Sequence, residues 1–452
     1  MPYALCPIIQ SVKMTSTLLK FPRLNAPTLH RLPNGLTIIA EQVPIEAVNL
    51  SLWLDVGSAI ETDEINGVAH FLEHMVFKGT EQLASGEFER RIEERGAVTN
   101  AATSQDYTHY YITTAPKDFA ELVPLQMDVV FNASIPDDAF ERERLVVLEE
   151  IRRSEDNPRR RTFQRSMETA FDKLPYRRSV LGPESVISQL QPQQMREFHR
   201  TWYQPKSIAA VAVGNLPVDE LIAIVAEGYA SGTGAMPCAP TPYSGTGAMP
   251  CAPTPYPQLN PEPPFTDIVR KEFIDESLQQ ARLAIVWRVP GLTQLECTYA
   301  LDVLAGILGH GLTSRLVQDL REERGLVSHI SVSNITQQLQ GTFYILAYCP
   351  VENLPDVEAR IIQHIRNLQL EMVKQAEIDR IRTKVANRFI FGNETPSDRA
   401  TLYGYYQSMV GDLEPAFNYP SIIQSLDATD LMQASQDYLS PDAYGVVVLK
   451  PL

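Results

Sequence analysis

Three residues in one short stretch, His70, Glu73 and His74, are of the types that bind a transition metal and move protons. They sit in GVAHFLEHMVFKG (67–79), where Asn66 and Gly67 offer a helix start and Gly79 a stop. At about 100° per helical residue, His70 and His74 fall about 40° apart on one face, one stacked above the other. Two imidazoles so placed converge on one ion. Glu73 falls on the adjoining edge and can reach a water on that ion without being forced into its coordination sphere. Zinc accepts such ligands, keeps a position open and lowers the pKa of its water to ~7.

A catalytic zinc wants a third protein ligand, commonly a carboxylate. PDDAFERERLVVLEEIRR (136–153) supplies candidates on a second helix, with Asp137 and Asp138 favourable at its N-terminus. Phe140, Val147 and Ile151 form one stripe that should face a core, and Glu143 and Glu150 lie on the edge of that stripe. Glu149 points away from it, towards solvent. A carboxylate turned towards a core needs a partner, so the periodicity selects Glu150 or Glu143 and does not decide between them.

These segments need a scaffold. Helical patterns fall at 67–78, 84–95, 118–131, 137–155, 296–309 and 313–324, interleaved with strand-like runs. SGTGAMPCAPTPY (231–243) is repeated without change at 244–256, and a Pro-rich run continues to 264. Such a segment cannot bury enough apolar surface to offset its ordering entropy, so it reads as a linker without a catalytic role. The parts on either side resemble each other: LSLWLDVGS from Leu50 is like LAIVWRVPG from Leu283, and YQPKSIAAVAVGN from Tyr203 is like YLSPDAYGVVVLK from Tyr438. The expectation is an α+β chain of two similar sheet-plus-helix sandwich domains. Residues 1–27 form an N-terminal extension, 28–225 the metal-binding domain, 226–264 the linker with its tandem duplication, and 265–452 the second domain.

With 39 basic and 55 acidic residues among 452, the net charge is −16. That argues against a nucleic-acid partner and fits a basic substrate. No stretch approaches the ~20 apolar residues of a membrane span. The five cysteines are widely spaced and form no C-x-x-C, the pattern of a reduced compartment. A bacterial cytoplasm is expected, with an organelle matrix as the alternative.

GVAHFLEHMVFKGT (67–80) resembles the active-site helix of the pitrilysin family of metallopeptidases, whose H-x-x-E-H order defines the inverzincins. HRLPNGLTIIAE (30–41), LWLDVGSAIET (52–62), NAATSQDYTHYY (100–111), ERLVVLEEI (143–151) and SRLVQDLREERGLV (314–327) are similar to further segments of that family, in order. The likeness spans 28–452 apart from the linker. It is closest to the two-domain branch that includes mitochondrial processing peptidase and its bacterial relatives.

The resemblance implies a zinc endopeptidase that hydrolyses unfolded peptides or presequences in a closed chamber, with one Zn2+ per chain. It assigns the metal to His70, His74 and Glu150, general-base catalysis to Glu73 and a supporting role to Glu143. Asn100 and Ala101 match an edge strand that pairs with extended substrate. Arg321 matches the arginine of a substrate-binding Arg and Tyr pair, but Ser328 stands where the tyrosine would be. That gap implies a related subunit supplying the missing group, in a heterodimer or homodimer; alternatively Tyr344 or Tyr348 substitutes. The competing function is a non-catalytic structural or peptide-binding subunit of the same fold, which typically lacks metal ligands.

Overall fold

The computed structural model describes residues 26–232 and 259–452. The 13-residue tandem repeat lies outside the described residues except for its first two positions, as does nearly all of the N-terminal extension.

Two sheets organise the chain. The first contains β1 (Thr28–Arg31), β2 (Thr37–Gln42), β3 (Val48–Leu54), β4 (Val98–Thr103), β5 (Thr108–Thr114) and β6 (Ile208–Gly214), in the order β1-β2-β6-β3-β5-β4. The second contains β7 (Val269–Ile274), β8 (Ala281–Pro290), β9 (His329–Ile335), β10 (Gln340–Cys349) and β11 (Gly445–Lys450), in the order β7-β11-β8-β10-β9. Apart from β1 the topologies coincide. In each, one parallel pair (β2 with β6, β7 with β11) is followed by antiparallel neighbours, and an edge strand (β4, β9) closes the far side. The similarity of the two halves is thus a shared architecture.

The first half carries α1 (Val68–Val76), α2 (Glu87–Glu94), α3 (Pro116–Phe131), α4 (Asp137–Asp156), α5 (Pro158–Ala170), α6 (Glu184–Ile187), α7 (Pro192–Trp202) and α8 (Val218–Gly232). The second carries α9 (Thr298–Gly309), α10 (Leu354–Leu370), α11 (Gln375–Phe391), α12 (Pro396–Met409), α13 (Glu414–Ser425) and α14 (Ala428–Tyr438). None of the described helices is long and apolar enough to cross a membrane.

Each sheet buries one face on helices of its own half, with Leu50, Leu52, Phe71 and Val147 in one core and Leu283, Ile285, Leu304 and Ile361 in the other. The opposite faces are covered by exchange. From the first half, α5 lies on β8 and β11, so Met167 and Ala170 pack with Ala284, Val286 and Val447. From the second half, α12 lies on β3 and β6, so Ala400 and Tyr403 pack with Trp53, Ala209 and Val211. Strands covered on both faces lose the in-out alternation of a half-exposed strand, and every residue of β3 and β6 is buried.

Gly404 is where α12 comes closest. A Cβ there would fall on the indole of Trp53, whose side chain is buried. Gly404→Ala therefore lowers the melting temperature by several degrees. Overpacking costs about 1–3 kcal/mol and outweighs the ~1 kcal/mol that alanine gains in helix propensity. Scanning calorimetry showing an unchanged or higher transition would contradict this contact.

Two sequence expectations need correction. The connection does not begin at 226: α8 runs to Gly232 because Ile222, Ala226 and Tyr229 continue its apolar stripe against the first core. Nor is the stretch up to 264 a free linker throughout. Glu262 is buried, accepts the backbone N–H groups of Asp172, Lys173 and Leu174, and pairs with Arg288 at 3.0 Å. Within 313–324, residues Val317–Glu323 wind as a π-helix instead of an α-helix.

Candidate metal centre

The helix that carries the histidines is fixed at its start by a carboxylate outside it. Glu61 is buried and accepts the backbone N–H groups of Gly67 and Ala69, both at 2.8 Å, and the amide of Asn66 at 2.8 Å. These N–H groups have no partner within the helix. Burial pushes the Glu61 carboxyl up to about 7, against those hydrogen bonds. Gly67 itself sits at φ 99°, and a Cβ there would meet the carbonyl of Leu181. The residue must therefore be glycine for the chain to enter α1 in this direction.

α1 packs against α4, with Phe71 stacked on Phe140 at 4.5 Å. That contact brings together the groups named from spacing. His70, His74 and Glu150 present ligand atoms that all lie within 4.8 Å of one another. Glu150 Oε2 is 3.5 Å from His70 Nε2 and 3.6 Å from His74 Nε2. Those separations are too long for good hydrogen bonds. They match the edge, about 3.4 Å, of a tetrahedron whose centre lies ~2.0–2.2 Å from each ligand. The donor set of two nitrogens and one carboxylate oxygen therefore fits zinc.

The protonation state of the trio's imidazoles agrees at His70 and not at His74. Burial, then the charges of His74 and Arg160, pull His70 down to about 3, leaving a neutral imidazole. His74 is also pulled down by burial, but the hydrogen bond and charge of Glu143, with Glu73 and Glu150, outweigh it and raise it. Glu143 Oε1 lies 2.9 Å from His74 Nδ1, an outer contact that orients the ring with Nε2 towards Glu150. Lys78 holds the other oxygen of Glu143 at 2.8 Å, and these two partners keep the Glu143 carboxyl low in spite of burial.

Glu73 lies beside the trio and faces the same cavity. Burial raises its carboxyl, partly offset by a hydrogen bond from the Thr103 hydroxyl to Oε2. Thr103 ends β4, so the general-base candidate touches the sheet edge. Asn100 and Ala101 lie on this edge strand, Asn100 exposed and Ala101 half-buried.

Glu149 is exposed and pairs with Arg153 at 3.1 Å, on the far side of α4. Glu149→Gln therefore leaves zinc content unchanged, whereas Glu150→Gln weakens it. Elemental analysis of the two proteins side by side checks this, and a metal-sensitive Glu149 would contradict the helix orientation.

Arg321 stands apart. It pairs with its neighbour Glu322 at 2.7 Å and is not among the residues lining the cavity. The Ser328 hydroxyl donates to Gln280. Tyr344 does line the cavity, while the Tyr348 hydroxyl is buried. Spacing missed Glu61, Lys78 and Thr103. Lys78, one turn beyond His74, carried the sole sequence signal; the other two act from outside the helix.

The cavity occupies about 1550 Å3 between the halves. His70, Glu73 and Glu150 form part of one wall, and Ser331, Ser333, Tyr344 and Leu346 form part of the other. Among the described residues, the second half has no counterpart of the metal set: α9, which holds the place of α1, reads TYALDVLAGILG.

Two family models match adjacent stretches of the chain. Residues 37–184 match the family described as Insulinase (Peptidase family M16), and residues 189–385 match the one described as Peptidase M16 inactive domain. An uncharacterized zinc protease of Mycobacterium tuberculosis is 29% identical over 94% of this chain and 93% of its own length. Zinc protease PqqE of Helicobacter pylori is 28% identical over 93% and 92%. The crystal structure of a protease from Helicobacter pylori superposes with a TM-score of 0.84 at 26% identity, over 94% of this chain and 99% of that one. An M16-like peptidase from Alicyclobacillus acidocaldarius shares the fold, with a TM-score of 0.80 at 22% identity over 97% and 100%.

Proposed function

Because the chain belongs to the M16, or pitrilysin, family of peptidases, we propose that it is a zinc-dependent endopeptidase that hydrolyses unfolded peptides or presequences inside the cavity between its halves. The observation that carries this reading is the convergence of His70, His74 and Glu150 with Glu73 facing the same space. When bound, zinc supplies Lewis acidity, polarising a carbonyl and making water acidic near neutral pH.

The chain's own groups do the rest. Thr103 holds Glu73 Oε2, which leaves Oε1 to take the proton of the attacking water. The same oxygen then delivers that proton to the leaving amine nitrogen. Glu143 keeps the His74 ring in one orientation through this cycle. The free edge of β4 offers backbone N–H and C=O groups to an extended peptide, which favours unfolded substrates of varied sequence.

A non-catalytic subunit is the second reading, prompted by the inactive-domain description of residues 189–385. That description covers residues beyond the metal set, which lies within 37–184, and the first half keeps all four acting residues. We also infer a partner, identical or related, because Ser328 is too short to serve as a phenol. The test is cleavage of an unfolded peptide by zinc-loaded protein, with and without a related subunit carrying the Arg and Tyr pair. Weak cleavage that rises on adding the subunit is expected. Full activity alone would remove the partner, and no cleavage under any condition would favour the non-catalytic subunit.

A further inference from the structure

The cavity lining is not acidic as the chain is: six arginines of α5 and its neighbourhood stand against five carboxylates, Glu73, Asp106, Glu150, Glu155 and Glu168. Four are matched by carboxylates: Arg161 by Asp275, Arg165 by Glu168, and Arg177 and Arg178 by Asp63. Arg159 and Arg160, at the start of α5, are exposed to the cavity and have no side-chain ion pair or hydrogen bond among the described residues. Glu155, one turn earlier on the same wall, pairs with neither.

Both line the cavity together with Ser331 and Ser333 of the second half. Arg160 lines the same cavity as the metal ligands His70 and Glu150. The charge of Arg159 is felt at His329 on β9, where Arg321 and Arg282 also act. Burial first, then these three guanidinium groups, hold the His329 imidazole below its usual range. Arg282 lies 4.5 Å over the ring of Tyr348, and its Nη1 is buried without a hydrogen-bond partner. Of the three, Arg321 is paired with Glu322, whereas Arg159 and Arg282 have no ion pair among the described residues, and like charges repel.

We propose that Arg159 and Arg160 determine specificity: the cavity selects peptides with an acidic side chain close to the scissile bond and holds that carboxylate at the start of α5. This rests on the peptidase reading and narrows it to acidic substrates, the reverse of what net charge suggests. Guanidinium groups bind carboxylates through two parallel N–H···O bonds, which gives direction as well as attraction. An extended peptide advances ~3.4 Å per residue, and the start of α5 lines the same cavity as the metal ligands.

The test uses the full chain with zinc, made inert by Glu73→Gln, and short fluorescein-labelled unstructured peptides. Each peptide has Glu at one position around the bond cleaved by the active chain, or Gln in its place. Anisotropy should show the best Glu peptide binding about tenfold tighter than its Gln counterpart, with the difference shrinking at high salt. Arg159→Gln with Arg160→Gln should bring the ratio to near one. Arg90→Gln, on the outer surface of α2, should leave it unchanged, and circular dichroism confirms that each variant folds. Equal binding of Glu and Gln peptides, or a preference that survives the double substitution, overturns the proposal. If the active chain cleaves both peptides equally, the selectivity fails and the peptidase reading stands. If no peptide is bound or cleaved, both fall.

Discussion

Glu73→Gln leaves zinc bound and lowers peptide hydrolysis by roughly 100- to 10,000-fold, the range a positioned general base contributes. The amide keeps the shape of the carboxylate and can still meet the Thr103 hydroxyl. It cannot accept a proton at the oxygen that faces the cavity. Glu73 is well placed for this task because burial raises its carboxyl, so the proton it takes is held long enough to be passed on. His70, His74 and Glu150 are untouched, so metal content separates loss of chemistry from loss of the site. Elemental analysis and a fluorogenic peptide assay on one preparation check both halves of the statement. Activity within a few-fold of the unmodified chain would remove Glu73 from the reaction.

His74→Ala abolishes stoichiometric zinc binding, and His70→Ala does the same. Each removes one of three ligand atoms and leaves a buried, half-lined site that water fills instead. Losing a hydrogen-bonded outer partner of a ligand costs ~10–100-fold in affinity. Losing the ligand itself must cost more, so Glu143→Gln, which touches His74 only through Nδ1, should fall between these variants and the unmodified chain. A folding readout guards against trivial unfolding. Zinc that binds only the native state raises the melting temperature as its free concentration rises. Chelation should therefore lower the melting temperature of the unmodified protein and have no effect on either histidine variant. Zinc retained at one equivalent per chain in the His70→Ala, His74→Ala double variant would refute the site.

The histidine pair was legible because helical geometry is local, while Glu150 was singled out over Glu143 only by the family resemblance. His70 and His74 share a face by spacing alone, and the stripe through Phe140, Val147 and Ile151 turned Glu149 outwards before any fold was known. Periodicity left Glu143 and Glu150 open, since both lie on the same edge of α4. Only the α1–α4 packing shows Glu150 meeting both Nε2 atoms and Glu143 meeting Nδ1. Thr103 and Glu61 gave no signal because a lone polar residue in a strand or turn has no periodicity to betray its partner. The two-sheet plan was visible in paired strand motifs. The seat of α5 and α12 was not, because an apolar stripe says that a helix is buried and not against what. Glu262 was hidden in a proline-rich run whose composition reads as linker.

The exchange of α5 and α12 also sets a problem for synthesis. The ribosome completes β3 and β6 long before it reaches Pro396, where α12 begins. At ~5–20 residues per second, the interval is roughly 10–40 s. During that time Ile39, Trp53 and Val211, which α12 will cover, form an unpartnered apolar face on a nascent sheet. Such a face invites association with other nascent chains unless a chaperone shields it. The order of synthesis thus leaves one face of the first sheet to be covered only when α12 arrives.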